Sequence, residues 1–136
     1  MYLLDTNHCS NLIFGELKII NKIEEISTEK IAISVVTEAE LMYMAENSQR
    51  IVENLAIVEE FLKDIPVYNI DSKVNKTYAK LKGKIMNYFA PKDKNKRRKT
   101  KISNLGIGEN DLWIGSTAII NNLIIVSADK DFIRMK

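Results

Sequence analysis

Four carboxylates stand where an apolar run hands over to the next element of the chain: Asp5, Glu40, Asp111 and Asp129. Asp5 closes the run beginning at Tyr2, and Asp129 follows Leu123 to Val126 after Ser127 and Ala128. Glu40 is expected in the first turn of a helix leaving a second strand, and Asp111 in the first turn of a helix that runs through Ile120. Carboxylates packed within a few ångströms repel one another unless a cation sits between them. Oxygen-only ligands select a hard ion, Mg²⁺ with Mn²⁺ able to substitute. Such an ion suits phosphodiester hydrolysis, because it positions a water, favours its deprotonation and neutralises the charge growing on phosphorus and the leaving oxygen. Each acid also has an ordinary structural use. Asp5-Thr6-Asn7 can cap a helix, Thr37 with Glu40 makes a capping box, Asn110-Asp111 can cap the last helix, and Asp129 can start a turn. The set points to chemistry where a single acid does not. Glu38, Glu109 and Asp131 are the rival acids nearby. On a helix Glu38 and Glu40 point about 200° apart, so at most one of them faces a common site.

The elements that must position these acids follow from the apolar pattern. Tyr2 to Asp5 reads as a strand feeding a helix, and Leu12, Ile13, Leu17, Ile20, Ile23 and Ile26 keep helical spacing with a break at Gly15. Ile31 to Val36 is β-branched and apolar, which predicts a buried strand. From Thr37 the period becomes helical with Leu41, Met44 and Ala45 on one side, and a further helix carries Ile51, Leu55, Val58, Phe61 and Leu62. Pro66 to Ile70 is a brief strand, and Asp71-Ser72 caps a helix whose face is Val74, Tyr78, Leu81, Ile85 and Phe89, ended by Pro91. A last helix starts at Asn110 or Asp111, and Leu123 to Val126 is a final buried strand. Strands alternating with helices imply an α/β layered fold with a mainly parallel sheet, and chemistry in such sheets gathers outside the carboxyl ends of the strands. If the first and last strands are neighbours, Asp5 and Asp129 meet.

A chain of 136 residues supports one core, hence a single domain spanning 1–136. No apolar run approaches the ~20 residues that span a bilayer, and the opening residues lack the pattern of a secretory signal, so no membrane and a cytoplasmic location are expected. Cys9 has no partner for an internal disulfide, and one Cys with His8 falls short of a zinc site, so both are expected to pack or cap the first helix. Lys92 to Lys101 holds seven basic residues and one acid, a local charge of +6, so the rest of a chain with net charge +2 stands at −4. The segment 92–105 is expected as an exposed basic loop, with Lys96, Arg97, Arg98 and Lys99 free to bind phosphates beside an acidic site that would otherwise repel them.

Four stretches carry a resemblance: Tyr2-Leu3-Leu4-Asp5-Thr6-Asn7, Ile33 to Leu41, Asn110 to Gly115, and Val126-Ser127-Ala128-Asp129-Lys130-Asp131-Phe132. In this order and spacing the chain resembles the VapC-type toxins of the PIN-domain family over nearly its whole length. The resemblance implies a three-layer fold with a central, mainly parallel sheet of four or five short strands flanked by helices. It makes Asp5, Glu40, Asp111 and Asp129 the catalytic, Mg²⁺-binding quartet, with Thr6, Asn7 and Ser127 beside it or touching phosphate. It implies a metal-dependent endoribonuclease toxin that leaves a 5′-phosphate and a 3′-hydroxyl, is neutralised by a cognate antitoxin and forms a homodimer. The basic segment is longer than the usual connection before the last helix. Trp113 is expected in the core or a dimer contact, with base stacking as its other use.

Two other functions compete. A PIN-fold module that binds RNA or a protein without cutting would not need the intact quartet. A phosphatase using Asp5 as nucleophile usually wants an acid two residues on, where this chain has Asn7.

Overall fold

A computed structural model of the chain describes residues 1–14, 30–105 and 107–127, the side chain of Arg97 excepted. β1 (Tyr2–Leu4) leads into α1 (Thr6–Ile13), and β2 (Ile31–Ser34) into α2 (Val35–Glu46) and α3 (Ile51–Leu62). β3 (Val67–Tyr68) precedes the long α4 (Ser72–Phe89) and the short α5 (Lys94–Lys99). A 3₁₀ turn (Ile102–Leu105), α6 (Glu109–Ile120) and β4 (Ile124–Val126) follow. The strands pair in parallel in the order β3-β2-β1-β4. Parallel neighbours need crossover connections, which lay helices over both faces. The result is the expected three-layer α/β architecture, with four strands among the described residues.

Successive strand residues face opposite sides of the sheet, so each strand feeds two cores. Leu4, Ile31 and Ile33 pack with Cys9 of α1, Leu41 and Ala45 of α2 and Val58 of α3. Leu3 and Ala32, paired in register, pack on the other face with Ile114 and Ala118 of α6. Burial on both faces is why β1 and β2 are apolar in succession rather than alternating, whereas β4, expected as a buried strand, is half-buried with Ile124 exposed. A third cluster joins Leu81 and Ile85 of α4 to Leu112 of α6 through Ile102 and Ile107. Tyr78 of α4 stacks on Trp113 of α6, ring centroids 3.6 Å apart and planes within 1°. Trp113 is thus half-buried in a helix contact, with one ring face covered. No helix among the described residues is long and apolar enough to cross a membrane.

Several sequence expectations are corrected. β2 stops at Ser34, and Val35 and Val36 begin α2, because the Ser34 hydroxyl accepts the Thr37 N–H at 3.1 Å and caps the helix there. Thr37 and Glu40 therefore form no capping box, and Glu40 lies beyond the first turn. Met44, Ile51 and Phe89 are exposed rather than on the inner faces. The basic segment is no loop: Lys94–Lys99 is a helix capped by Asp93, whose carboxylate accepts from the N–H groups of Asn95 and Lys96 at 2.9 and 3.1 Å. Its last turn is held by the Thr100 hydroxyl, which donates to the Lys96 carbonyl at 2.7 Å. Leu17, Ile20, Ile23 and Ile26 and the break at Gly15 lie outside the described residues.

α6 reverses into β4 through a tight turn at Asn122, the one described non-glycine residue with positive φ, 53°. The Leu123 N–H donates to the Ala118 carbonyl at 2.9 Å and the Asn122 N–H to Ile119 at 3.4 Å, the two bonds of a Schellman motif. Leu123 and Ala118 share a core cluster, which adds the apolar contact that usually accompanies the motif. Asn tolerates the left-handed region better than other side chains. Asn122→Ala is expected to cost about 1 kcal/mol and Asn122→Gly to be neutral or mildly stabilising. Urea unfolding of both variants checks this; equal stabilities would mean that the turn is not strained.

Candidate active site

The carboxyl ends of β1, β2 and β4 lie side by side, since β1 is paired with both neighbours. Asp5 follows β1 directly and its N–H donates to the Val126 carbonyl at 3.3 Å, which fixes it against the end of β4. Its side chain is only 4% exposed and caps α1, Oδ1 accepting the His8 N–H at 2.8 Å. The His8 ring Nδ1 lies 3.0 Å from the same oxygen, where it donates when it carries the proton. The Ser127 hydroxyl donates to Oδ2. These donors hold the carboxylate in one orientation. A carboxylate offers about four lone-pair positions, so the three donors leave one on Oδ2 among the described residues.

The next residue carries the site across to α2. The Thr6 hydroxyl donates to Glu40 Oε1 at 2.8 Å and lies 3.4 Å from Thr37 Oγ1, which is in turn 3.5 Å from the Ser34 hydroxyl. Glu40, rather than Glu38, is the helix glutamate joined to the end of β1. It lines an open cleft of about 670 Å³ with Val35, Val36, Ala39, Tyr43 and Asn110. Asn110 belongs to the first turn of α6, so that turn stands across the cleft from Glu40, and Asp111 is the next residue, half-buried. Asn7 is exposed in the first turn of α1.

The structure thus joins Ser127 to Asp5 and Thr6 to Glu40 by side-chain hydrogen bonds, with Asp111 on the facing helix. Asp129 lies outside the described residues. Among the described residues no three acid, His or Cys side chains group tightly enough to hold a metal ion on their own. Glu109, the rival acid on α6, is engaged elsewhere: the Tyr78 hydroxyl donates to it, and Lys82 Nζ lies 3.0 Å from its Oε1.

Cys9 sits at the site's inner wall but is fully buried in the core. Burial, and then the negative charge of Asp5, push its thiol pKa far above the ordinary value. It is a packing residue and not a nucleophile. The sequence did not single out the Ser34–Thr37 hydroxyl pair, Tyr43 or the Tyr78–Glu109–Lys82 cluster. A serine directly before an apolar helix was a usable capping signal for the first; the others depend on packing between helices.

The family model described as PIN domain matches residues 2–136. The chain belongs to the PIN-domain family. This PIN domain is 30% identical over 127 residues to "Ribonuclease VapC2" of Haemophilus influenzae, covering 93% of the chain and 84% of the relative. It is 35% identical over 72 residues to the "tRNA(fMet)-specific endonuclease VapC" of Salmonella typhimurium, covering 53% of the chain and 54% of that protein. Among solved structures, VapBC2 from Rickettsia felis bound to a DNA fragment from its promoter superposes with a TM-score of 0.78. That match has 25% identity and covers 98% of this chain and 90% of the other.

Proposed function

We propose that this PIN domain is a VapC-type toxin, an endoribonuclease that hydrolyses RNA phosphodiester bonds with a divalent metal and is held inactive by a cognate antitoxin in the cytoplasm. The observation that carries the site assignment is the buried Asp5 at the centre of the sheet edge, oriented by His8 and Ser127 and followed at once by the Thr6 link to Glu40. The similarity to a ribonuclease over most of both chains supports the reaction class.

The donor set fits a hard ion. It is all carboxylate oxygen, and the nearby thiol is buried and protonated. Mg²⁺ is commonly held by one or two carboxylates, with water and substrate phosphate completing its sphere, so a closed cage of protein ligands is not required. Asp5 and Asp111 would hold it, with Glu40 and, from beyond the described residues, Asp129 around it. When bound, the ion neutralises charge at the scissile phosphate and makes a water easier to deprotonate. The chain's own groups do the positioning. Thr6 fixes the rotamer of Glu40, and Ser127 and His8 fix Asp5. Asn7, exposed on the same turn, would meet phosphate. Tyr43, 67% exposed on the cleft beside Glu40, offers a ring on which a base can stack.

Metal and cleavage are tested together. Millimolar Mg²⁺ or Mn²⁺ is expected to raise the melting temperature, because it binds the folded acids and relieves their repulsion, and EDTA is expected to stop cleavage of a total-RNA substrate. Glu40→Gln should slow cleavage at least tenfold, whereas Glu38→Gln should stay within twofold of wild type. The reverse order would assign the other glutamate. Equal melting temperatures with and without metal, together with no cleavage, would leave a module that binds RNA or protein without cutting. The solved VapBC assemblies of relatives support an antitoxin complex as the partner to look for, and the family resemblance supports a homodimer.

A further inference from the structure

Helix α5, with the sequence Lys-Asn-Lys-Arg-Arg-Lys, contains no apolar residue, and Lys94, Lys96, Arg98 and Lys99 are all exposed. The single acid of the segment, Asp93, is used on the helix's own N–H groups. The chain leaving this helix does not wander off. Thr100, Lys101, Ile102 and Ser103 line a cavity of about 340 Å³ together with Lys82 and Glu109. Glu109 opens α6 two residues before Asp111, so the basic segment ends beside the N-terminal turn of the helix that carries this acid. Lys82, paired to Glu109 at 3.0 Å, offsets the charge of the acid that lines this cavity.

We propose that α5, with Lys101 behind it, is a phosphate-binding track for RNA backbone lying outside the acid cleft, so that the RNA bound is longer than the cleft itself. This deepens the endoribonuclease reading and rests on it. Two features favour RNA over an acidic protein partner. Protein interfaces are anchored by apolar and aromatic residues and are depleted in lysine, and α5 offers no such anchor. Phosphates need only cations, and Lys and Arg contacts to them supply affinity with little base specificity. The charge balance supplies the need: a body at −4 around a carboxylate site repels a polyanion, and the +6 segment reverses that field where the RNA must approach.

The test replaces Lys96, Arg97, Arg98 and Lys99 together by Gln, which keeps helix propensity, with an all-Arg version at the same four positions as the charge-preserving control. Binding is measured from 50 to 200 mM KCl in an Asp5→Asn background, to a labelled 24-nucleotide RNA hairpin, a single-stranded octamer and a poly-glutamate chain. The Gln variant is expected to bind the hairpin about 30-fold more weakly, with a log–log salt slope shallower by about 3, since each lost phosphate contact removes close to one released counterion. The all-Arg control should match wild type, and the octamer should be affected least. Unchanged hairpin affinity and slope would overturn the track, as would poly-glutamate binding as tightly as the hairpin with the same dependence on these residues, which would make the helix a site for an acidic protein. Failure of the parent reading shows separately: a wild-type chain that binds the hairpin through α5 but cuts no RNA keeps the track and loses the nuclease.

Discussion

Asp5→Asn is expected to reduce RNA cleavage by a factor of about a thousand or more while leaving the fold in place. The two halves of that expectation come from different roles of one side chain. As a cap, Asp5 accepts the His8 N–H at 2.8 Å, and Asn caps about as well, so stability should move by no more than about 1 kcal/mol. As a ligand, Asn lacks the charge that holds the cation. Losing about 4 kcal/mol of transition-state stabilisation from a displaced or weakened metal corresponds to roughly three powers of ten in rate. Asp111→Asn and Asp129→Asn should behave alike, the latter on the strength of the family motif. The measurement is initial cleavage rate in a nuclease-free preparation, beside a thermal melt of each variant. Wild-type rates in all three with unchanged melts would make the acids structural.

The largest loss of stability is expected at Leu112. This residue is fully buried, sits between Asp111 and Trp113, and packs against Leu81 and Ile85 of α4 and against Ile102 and Ile107. Leu→Ala in a core of this kind costs about 3 to 5 kcal/mol, from lost transfer energy and the cavity left behind. On the same helix Ile119 is more than half exposed, and Ile119→Ala should stay within about 0.5 kcal/mol. Leu112→Ala also loosens the helix that carries Asp111, so cleavage measured well below its melting point should fall as well. A small stability change at Leu112 would mean that α6 is held by the sheet contacts of Ile114 and Ala118 alone.

The strand-end positions of Asp5 and Ser127 were legible because β1 and β4 are written as uninterrupted apolar runs that end in polar residues, although only β1 proves to be deeply buried. That β1 and β4 are neighbours was only a condition in the sequence, and the pairing of Leu4 with Val126 meets it. The start of α2 was misread because Val35 and Val36 are β-branched and favour strands locally. Tertiary packing decides there, with Val36 set against the sheet and Ser34 supplying the cap. The helix at Lys94–Lys99 was hidden by its own charge, since like charges a turn apart disfavour helix in isolation. Its capping aspartate and the closing threonine were visible as residues, but not as partners. The stack of Tyr78 on Trp113 joins two helices and has no signature along the chain.

The hydroxyl that orients Asp5 comes from a residue 122 positions later. β1 lies between β2 and β4, so it cannot be flanked on both sides until β4, more than a hundred residues later, has been made. Long-range pairing of this kind forms late and slowly. A stalled or truncated nascent chain ending before β4 carries Asp5, Thr6 and Glu40 but leaves Asp5 without its Ser127 donor and without the Val126 carbonyl beside it. The topology therefore makes the site a product of closure of the sheet: Asp5 gains its Ser127 donor only when β4 has docked against β1.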